Sequence, residues 1–222
     1  MAAPTLLLAL AAALDPSALR LIPPDAGFLL GIEWRQMLES ASGGMLQKRL
    51  AESGLSAIPA WASLEKALRE DVDAVLATGP TRGMGRSGGQ TPLLVIVRGR
   101  FDAAAVRKWA PGRAEAYKQY TLLAPRNIKP PTLRLTVLDA NTLLLGDRKL
   151  VVAAIDRVAS ARAQIPARLV QRAGELAARH QVWLALEAPP EGFPAQSGAP
   201  AQILSQLIGL DFGISFAEGV DL

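Results

Sequence analysis

The sequence predicts an α+β fold: a mainly antiparallel sheet with helices packed on one face, built from repeated β-β-α units. Three observations carry this. Apolar Leu133, Leu135 and Val137 alternate with Arg134, Thr136 and Leu138; after Gly146, the residues Leu150, Ala153, Ala154, Arg157 and Val158 fall at helical spacing; and an earlier stretch repeats that order. A period of two becoming a period of three to four marks a strand giving way to a helix.

Taken in order, residues 1–14 (MAAPTLLLALAAAL) form an apolar segment too short to span a bilayer as a helix. Its small residues at Ala11 to Ala13 suit signal-peptidase cleavage, with the terminal amine as the positive end, because no Lys or Arg precedes the apolar run. Residues 1–14 are therefore expected to be a signal peptide or an N-terminal apolar helix, with export the preferred reading. Residues 15–164 are read as an α+β domain of β-β-α units, and residues 165–222 as the start of a further unit.

Pro23-Pro24-Asp25 reads as a rigid turn, and Gly27 to Trp34 as a strand with Phe28, Leu30 and Ile32 on one face. Arg35 to Ser53 follows as an amphipathic helix that Gly43-Gly44 bends or divides, and Trp61 to Arg69 as a second helix. Val72 to Thr78 and Leu93 to Val97 are strands; Gly99 and then Asp102, an N-cap, introduce the helical AAAVRKWA. Pro111-Gly112 stops the chain, and Ala116 to Ala124 is expected to form one strand. The proline-rich PRNIKPPT loop leads to the Leu133 strand. Asp139-Ala140-Asn141 reverses the chain, Thr142 to Leu145 returns beside it, and Asp147 caps the helix that follows.

Beyond the break at Ile165-Pro166, Ala167 to Arg179 reads as a helix and Val182 to Glu187 as a strand with Trp183 and Ala185 facing one way. A loop rich in Pro, Gly and Ala then precedes a short helix, Ile203 to Ile208, and a strand, Asp211 to Ala217. Glu218-Gly219 suits a hairpin turn with only Val220 to Leu222 returning, so the chain is expected to be a fragment or to have this edge completed by a following segment or a partner.

Composition narrows the function. The chain has 222 residues, half of them hydrophobic, enough to bury a substantial core. The net charge of +4 is scattered, without the basic stripe of a nucleic-acid binder. The absence of cysteine excludes disulfides, thiolate metal sites and a cysteine nucleophile, and a single histidine, His180, poorly supplies metal or general-base chemistry. His180 is read as a residue at a helix boundary. Gly83-Met84-Gly85-Arg86-Ser87-Gly88 matches the dinucleotide fingerprint literally, but a strand follows where the fingerprint needs a helix N-terminus. That loop, 79–92, is read as a connection whose Arg82 and Arg86 are interaction candidates for an acidic partner.

No catalytic, cofactor or metal residue is assigned. The expectation is an exported binding or structural module of the cell envelope, periplasmic or secreted, meeting a protein partner or itself through an edge strand. Two alternatives stand beside it: a carboxylate-dependent enzyme drawing on Glu33, Asp71 and Asp73, the last two on one face of a strand at i, i+2, and a cytoplasmic interaction protein.

The words IPPDAGFLLGIEW, TPLLVIVRGRFD, AYKQYTLL and LRLTVLDANTLLLGDRKLVVAAIDR, with Gly99, Phe101, Asp102, Gly146, Asp147, Ala154, Ile155 and Asp156 carrying the likeness, span residues 20 to 160. In them the chain resembles a group of exported bacterial proteins of unknown activity, especially acidobacterial ones. The resemblance implies an exported α+β protein and transfers no catalytic residue.

Overall fold

The computed structural model describes residues 14–40, 43–44, 70–81, 92–126, 131–159, 165–187 and 210–215. The two strand pairs foreseen are present: β2 (Val72–Gly79) with β3 (Leu94–Gly99), and β6 (Leu133–Asp139) with β7 (Thr142–Asp147), numbering strands in chain order behind β1 (Phe28–Ile32). Between the pairs lies a hairpin, β4 (Gly112–Tyr117) and β5 (Tyr120–Pro125), and after them come β8 (Val182–Leu186) and β9 (Leu210–Ile214). The strands form one sheet in the order β4-β5-β6-β7-β3-β2-β1-β8-β9, and the neighbours run antiparallel. The fold is α+β, as expected.

The helices given whole by the described residues are α1 (Pro16–Leu19), α2 (Trp34–Glu39), α3 (Ala103–Trp109), α4 (Arg148–Arg157) and α5 (Ala167–Ala177). Aspartates start three of them. Asp15 accepts from Ser17 N–H, Asp102 from Ala104 and Ala105 N–H, and Asp147 from Lys149 N–H, satisfying amides that the first turn leaves without partners. The capping roles read for Asp102 and Asp147 are thus realised.

The main core lies on one face of the sheet. Leu29, Ala74, Leu76, Leu94, Ile96 and Leu144 meet Val151, Ala154 and Ile155 of α4, Leu169 and Ala173 of α5, and Ala18 of α1. Arg157 donates to Leu21 O, and Arg98 pairs with Asp15, tying α1 and its loop to the rest of this layer. The helical layer expected on one face is this one. α3 departs from it: its Val106, with Ala110 just beyond, packs on the reverse face against Leu123, Leu135 and Leu143. Leu143 and Leu144, adjacent in β7, serve the two cores because successive strand residues point to opposite sides.

Gly99 and Gly146 recur for a physical reason that is the same in both units. A Cβ on Gly99 would lie 1.9 Å from Asp71 O, and one on Gly146 would lie 2.3 Å from Leu93 O. A neighbouring backbone crosses too closely for any other residue.

In β1, Phe28, Leu30 and Ile32 share one face as read, while Leu29 and Gly31, on the opposite face, turn toward the main core. Trp183, fully buried, occupies the space that a side chain on Gly31 would need. Other expectations need correction: α2 ends at Glu39, where Ser40 turns extended, so the break falls before the helical Gly43-Gly44 rather than at them, and the reading beyond Gly44 to Ser53 lies outside the described residues. The single strand read over Ala116 to Ala124 is a hairpin whose turn is Lys118-Gln119, with Lys118 in the left-handed region at φ 51°. The described parts of 15–164 and 165–222 share one sheet and one core, since β8 pairs with β1 and α5 packs over the main face. The helix at Trp61, the short helix at Ile203 and the turn at Glu218 lie outside the described residues.

Candidate functional site

A concavity of about 690 Å³ lies at one margin of the sheet, between α3 and the β4-β5 hairpin. It is lined by Ala114 and Ala116 of β4, Leu123 of β5 and Ala110, together with the exposed Arg107 and Arg126. It exists because β4 alternates Gly112, Ala114 and Ala116 with Arg113, Glu115 and Tyr117, so one face of this edge strand has almost no side-chain bulk.

The larger side chains of β4 hold the hairpin from the other face. Glu115 accepts from Arg148 at the start of α4, 3.0 Å from its Nε, and lies 3.5 Å from Arg134. Tyr117 Oη donates to Asp156, whose oxygens lie 3.0 and 3.1 Å away, and Lys118 pairs with the same carboxylate. The hydrogen bond from Arg148, with the charges of Arg148 and Arg134, holds the Glu115 carboxyl below its ordinary pKa. Bonds from Lys118 and Tyr117 do the same for Asp156, and the Asp156 carboxylate in turn raises the Tyr117 phenol. Exposed ion pairs are individually weak, but here several converge on one hairpin. They matter because the ladder between β5 and β6 has a single register pair, Leu123 with Leu135.

Electrostatically the groove is one-sided. Arg107 donates to Thr121 Oγ1 at 3.2 Å, and neither it nor Arg113 nor Arg126 makes an ion pair among the described residues. Glu115, the acidic residue along the lining, is already engaged by Arg148 and Arg134.

The described residues singled out from sequence lie elsewhere. Arg82 and Arg86 are outside the described residues. Glu33 is buried, 2% exposed, at the position preceding α2, where its N–H donates to Gln181 O at 2.7 Å. Asp73 accepts from Arg35 Nε at 2.5 Å, and Asp71 lies in the turn before β2 with its carbonyl accepting from Arg100 N–H. The i, i+2 reading of Asp71 and Asp73 on one strand therefore fails at Asp71, and Asp73 is committed to a cation. His180 does stand just past α5: its N–H donates to Leu176 O, and Nδ1 lies 2.9 Å from Ser215 Oγ, which donates to Arg179 O. Its ring fills the space above Gly213 and so seats β9. Sequence reasoning passed over Arg107, Arg126 and β4, although the alternation of small and large residues in GRAEAY was a readable sign of a strand with one bare face.

No family model and no curated protein matches this sequence. Among solved structures the chain is similar to TP0453 in crystal form IV, at 15% identity and a TM-score of 0.49, over 81% of this chain and 66% of that one. Crystal form III gives 14% identity and a TM-score of 0.49, over 78% and 64%. The chain thus spans just under two thirds of the length of the protein it matches.

Proposed function

We propose that the chain is an exported binding module of the cell envelope, working through the open margin of its sheet at β4 and the groove beneath α3. Export rests on the apolar residues 1–14 with their small residues before Leu14. Among the described residues no helix is long and apolar enough to cross a membrane. The observation that carries the binding reading is the unequal treatment of the β4-β5 hairpin: α4 grips one face through Glu115, Tyr117 and Lys118, while on the other face β4 lines an open groove and, among the described residues, no strand pairs with its outer edge. Edge strands are ordinarily blunted by bulges, prolines, charges or a covering element, because their free backbone groups attract other chains. A margin held in place yet left open fits recognition.

Two measurements test this. Fractionation of the producing cells with N-terminal sequencing is expected to find the protein in the envelope with its first residues removed; intact Met1 in a cytoplasmic pool overturns export. Hydrogen exchange of the purified protein is expected to slow across residues 112–117 when an envelope extract is added. Protection confined to another segment, or none, overturns the site.

A further inference from the structure

We infer that the occupant of this margin is an acidic peptide segment in extended conformation, adding to the sheet as a strand beside β4. The inference rests on the binding reading above and names the class of partner.

Register supplies the first argument. β4 and β5 are joined by the two-residue turn Lys118-Gln119, with Tyr117 opposite Tyr120. In such a hairpin the pair closing the turn is hydrogen-bonded, and bonded and non-bonded pairs then alternate. Tyr117, Glu115 and Arg113 therefore direct their N–H and C=O groups to β5, whereas Ala116, Ala114 and Gly112 direct theirs outward. No strand pairs on that side among the described residues, and the three residues with outward backbone groups are those with the smallest side chains. A partner strand can approach without displacing any described strand, and main-chain bonds would give it affinity without demanding much of its sequence.

Charge supplies the second argument and chooses between occupants. Side chains of an added strand that point toward α3 pass over Ala114 and Ala116 and meet Arg107 and Arg126; those on the other face pass Arg113. These three arginines have no ion-pair partner among the described residues, and Glu115, the acid beside them, is already held by Arg148 and Arg134. A carboxylate in this position gains planar, two-pronged hydrogen bonding from guanidinium groups. A second copy of the chain is disfavoured by the same inventory, since pairing β4 with β4 sets Arg107, Arg113 and Arg126 against their own counterparts.

The test uses a synthetic peptide of about eight residues, long enough to span β4, in which valine alternates with glutamate. Controls carry lysine for glutamate, or N-methyl groups on alternate amides. Binding is followed by fluorescence polarisation and hydrogen exchange. Only the unmodified glutamate peptide is expected to bind, with protection of residues 112–117. In Ala116→Pro an outward N–H is lost at a position where edge strands tolerate proline, and binding is expected to fall by about tenfold or more while the thermal transition stays close to wild type. Arg107→Glu with Arg126→Glu, both exposed, is expected to reduce binding comparably and to remove its salt dependence. Equal binding of the lysine and N-methyl controls, or no effect of the charge reversal, overturns the inference. So does a concentration-dependent dimer that Ala116→Pro dissolves. If the glutamate peptide fails while envelope extract still protects 112–117, the partner class falls and the binding site stands; if neither protects, both fall.

Discussion

The unit β2-β3-α3 and the unit β6-β7-α4 run through the same succession of strand, strand, glycine, capping aspartate and helix, yet α3 and α4 lie on opposite faces of one sheet. The difference is two residues. Asp147 is both the last residue of β7 and the cap of α4, so that helix starts at the sheet's end and folds over the main core. In the other unit Arg100 and Phe101 separate Gly99 from Asp102. Arg100 N–H donates to Asp71 O at 2.7 Å and Phe101 N–H to Ala140 O at 2.8 Å, so the chain continues extended for roughly 7 Å more at about 3.3 Å per residue. Phe101 then packs with Val106 on the reverse face and carries α3 there. Similar words can therefore build mirror placements, because what decides the face is where the chain stands when the helix begins.

This contrast can be broken most severely in the shared strand β7. Leu144→Ala removes a fully buried side chain from the larger core and should cost toward the top of the about 2–5 kcal/mol range for such truncations. Leu143→Ala, under the smaller α3 cluster, should cost nearer its lower end. Urea titrations of both variants at unchanged slope measure this, and equal losses would mean that the two faces are equally important to stability. A smaller effect separates the caps. Asp102→Ala and Asp147→Ala should each cost about 1 kcal/mol, with Asp102 the costlier because it accepts from two amides and Asp147 from one. Thermal unfolding ranks them, and the reverse order would show that the cap bonds do not set the difference.

The smallest effect concerns acid. Glu115 and Asp156 have depressed pKa values in the folded state, so their contribution is complete above the ordinary carboxylate range and is lost as pH falls through the depressed values. Below that range the β4-β5 hairpin should loosen from α4 before the main core gives way, and amides of residues 113–123 should exchange faster relative to those of β3 and β7 after correction for intrinsic rates. Uniform acceleration across the sheet would show that the side-chain clamp is not what holds the hairpin.

The readable features were local ones. Alternation in Leu133 to Val137, the reversal at Asp139 to Asn141 and the caps at Asp102 and Asp147 each depend on residues within a few positions of one another, and each forms as read. The hairpin at Lys118-Gln119 was obscured because neither residue is a usual turn former, and the left-handed Lys118 carries the bend. The margin at β4 was hidden more deeply. Arg107, Arg126 and the alanines of β4 become one surface only when α3 crosses to the reverse face, and nothing within the hairpin's own sequence announces that.

By itself the sequence determined the α+β class, the central strands and the capped helix starts, because hydrophobic period and side-chain capping act over a few residues. Only the tertiary structure decided that β3 pairs with β7, joining residues about half a hundred positions apart, and that β4 is left at the margin. Strand order depends on which edges remain to be paired once the helices have taken their faces, and that competition is settled by the whole chain's burial rather than by any stretch of it.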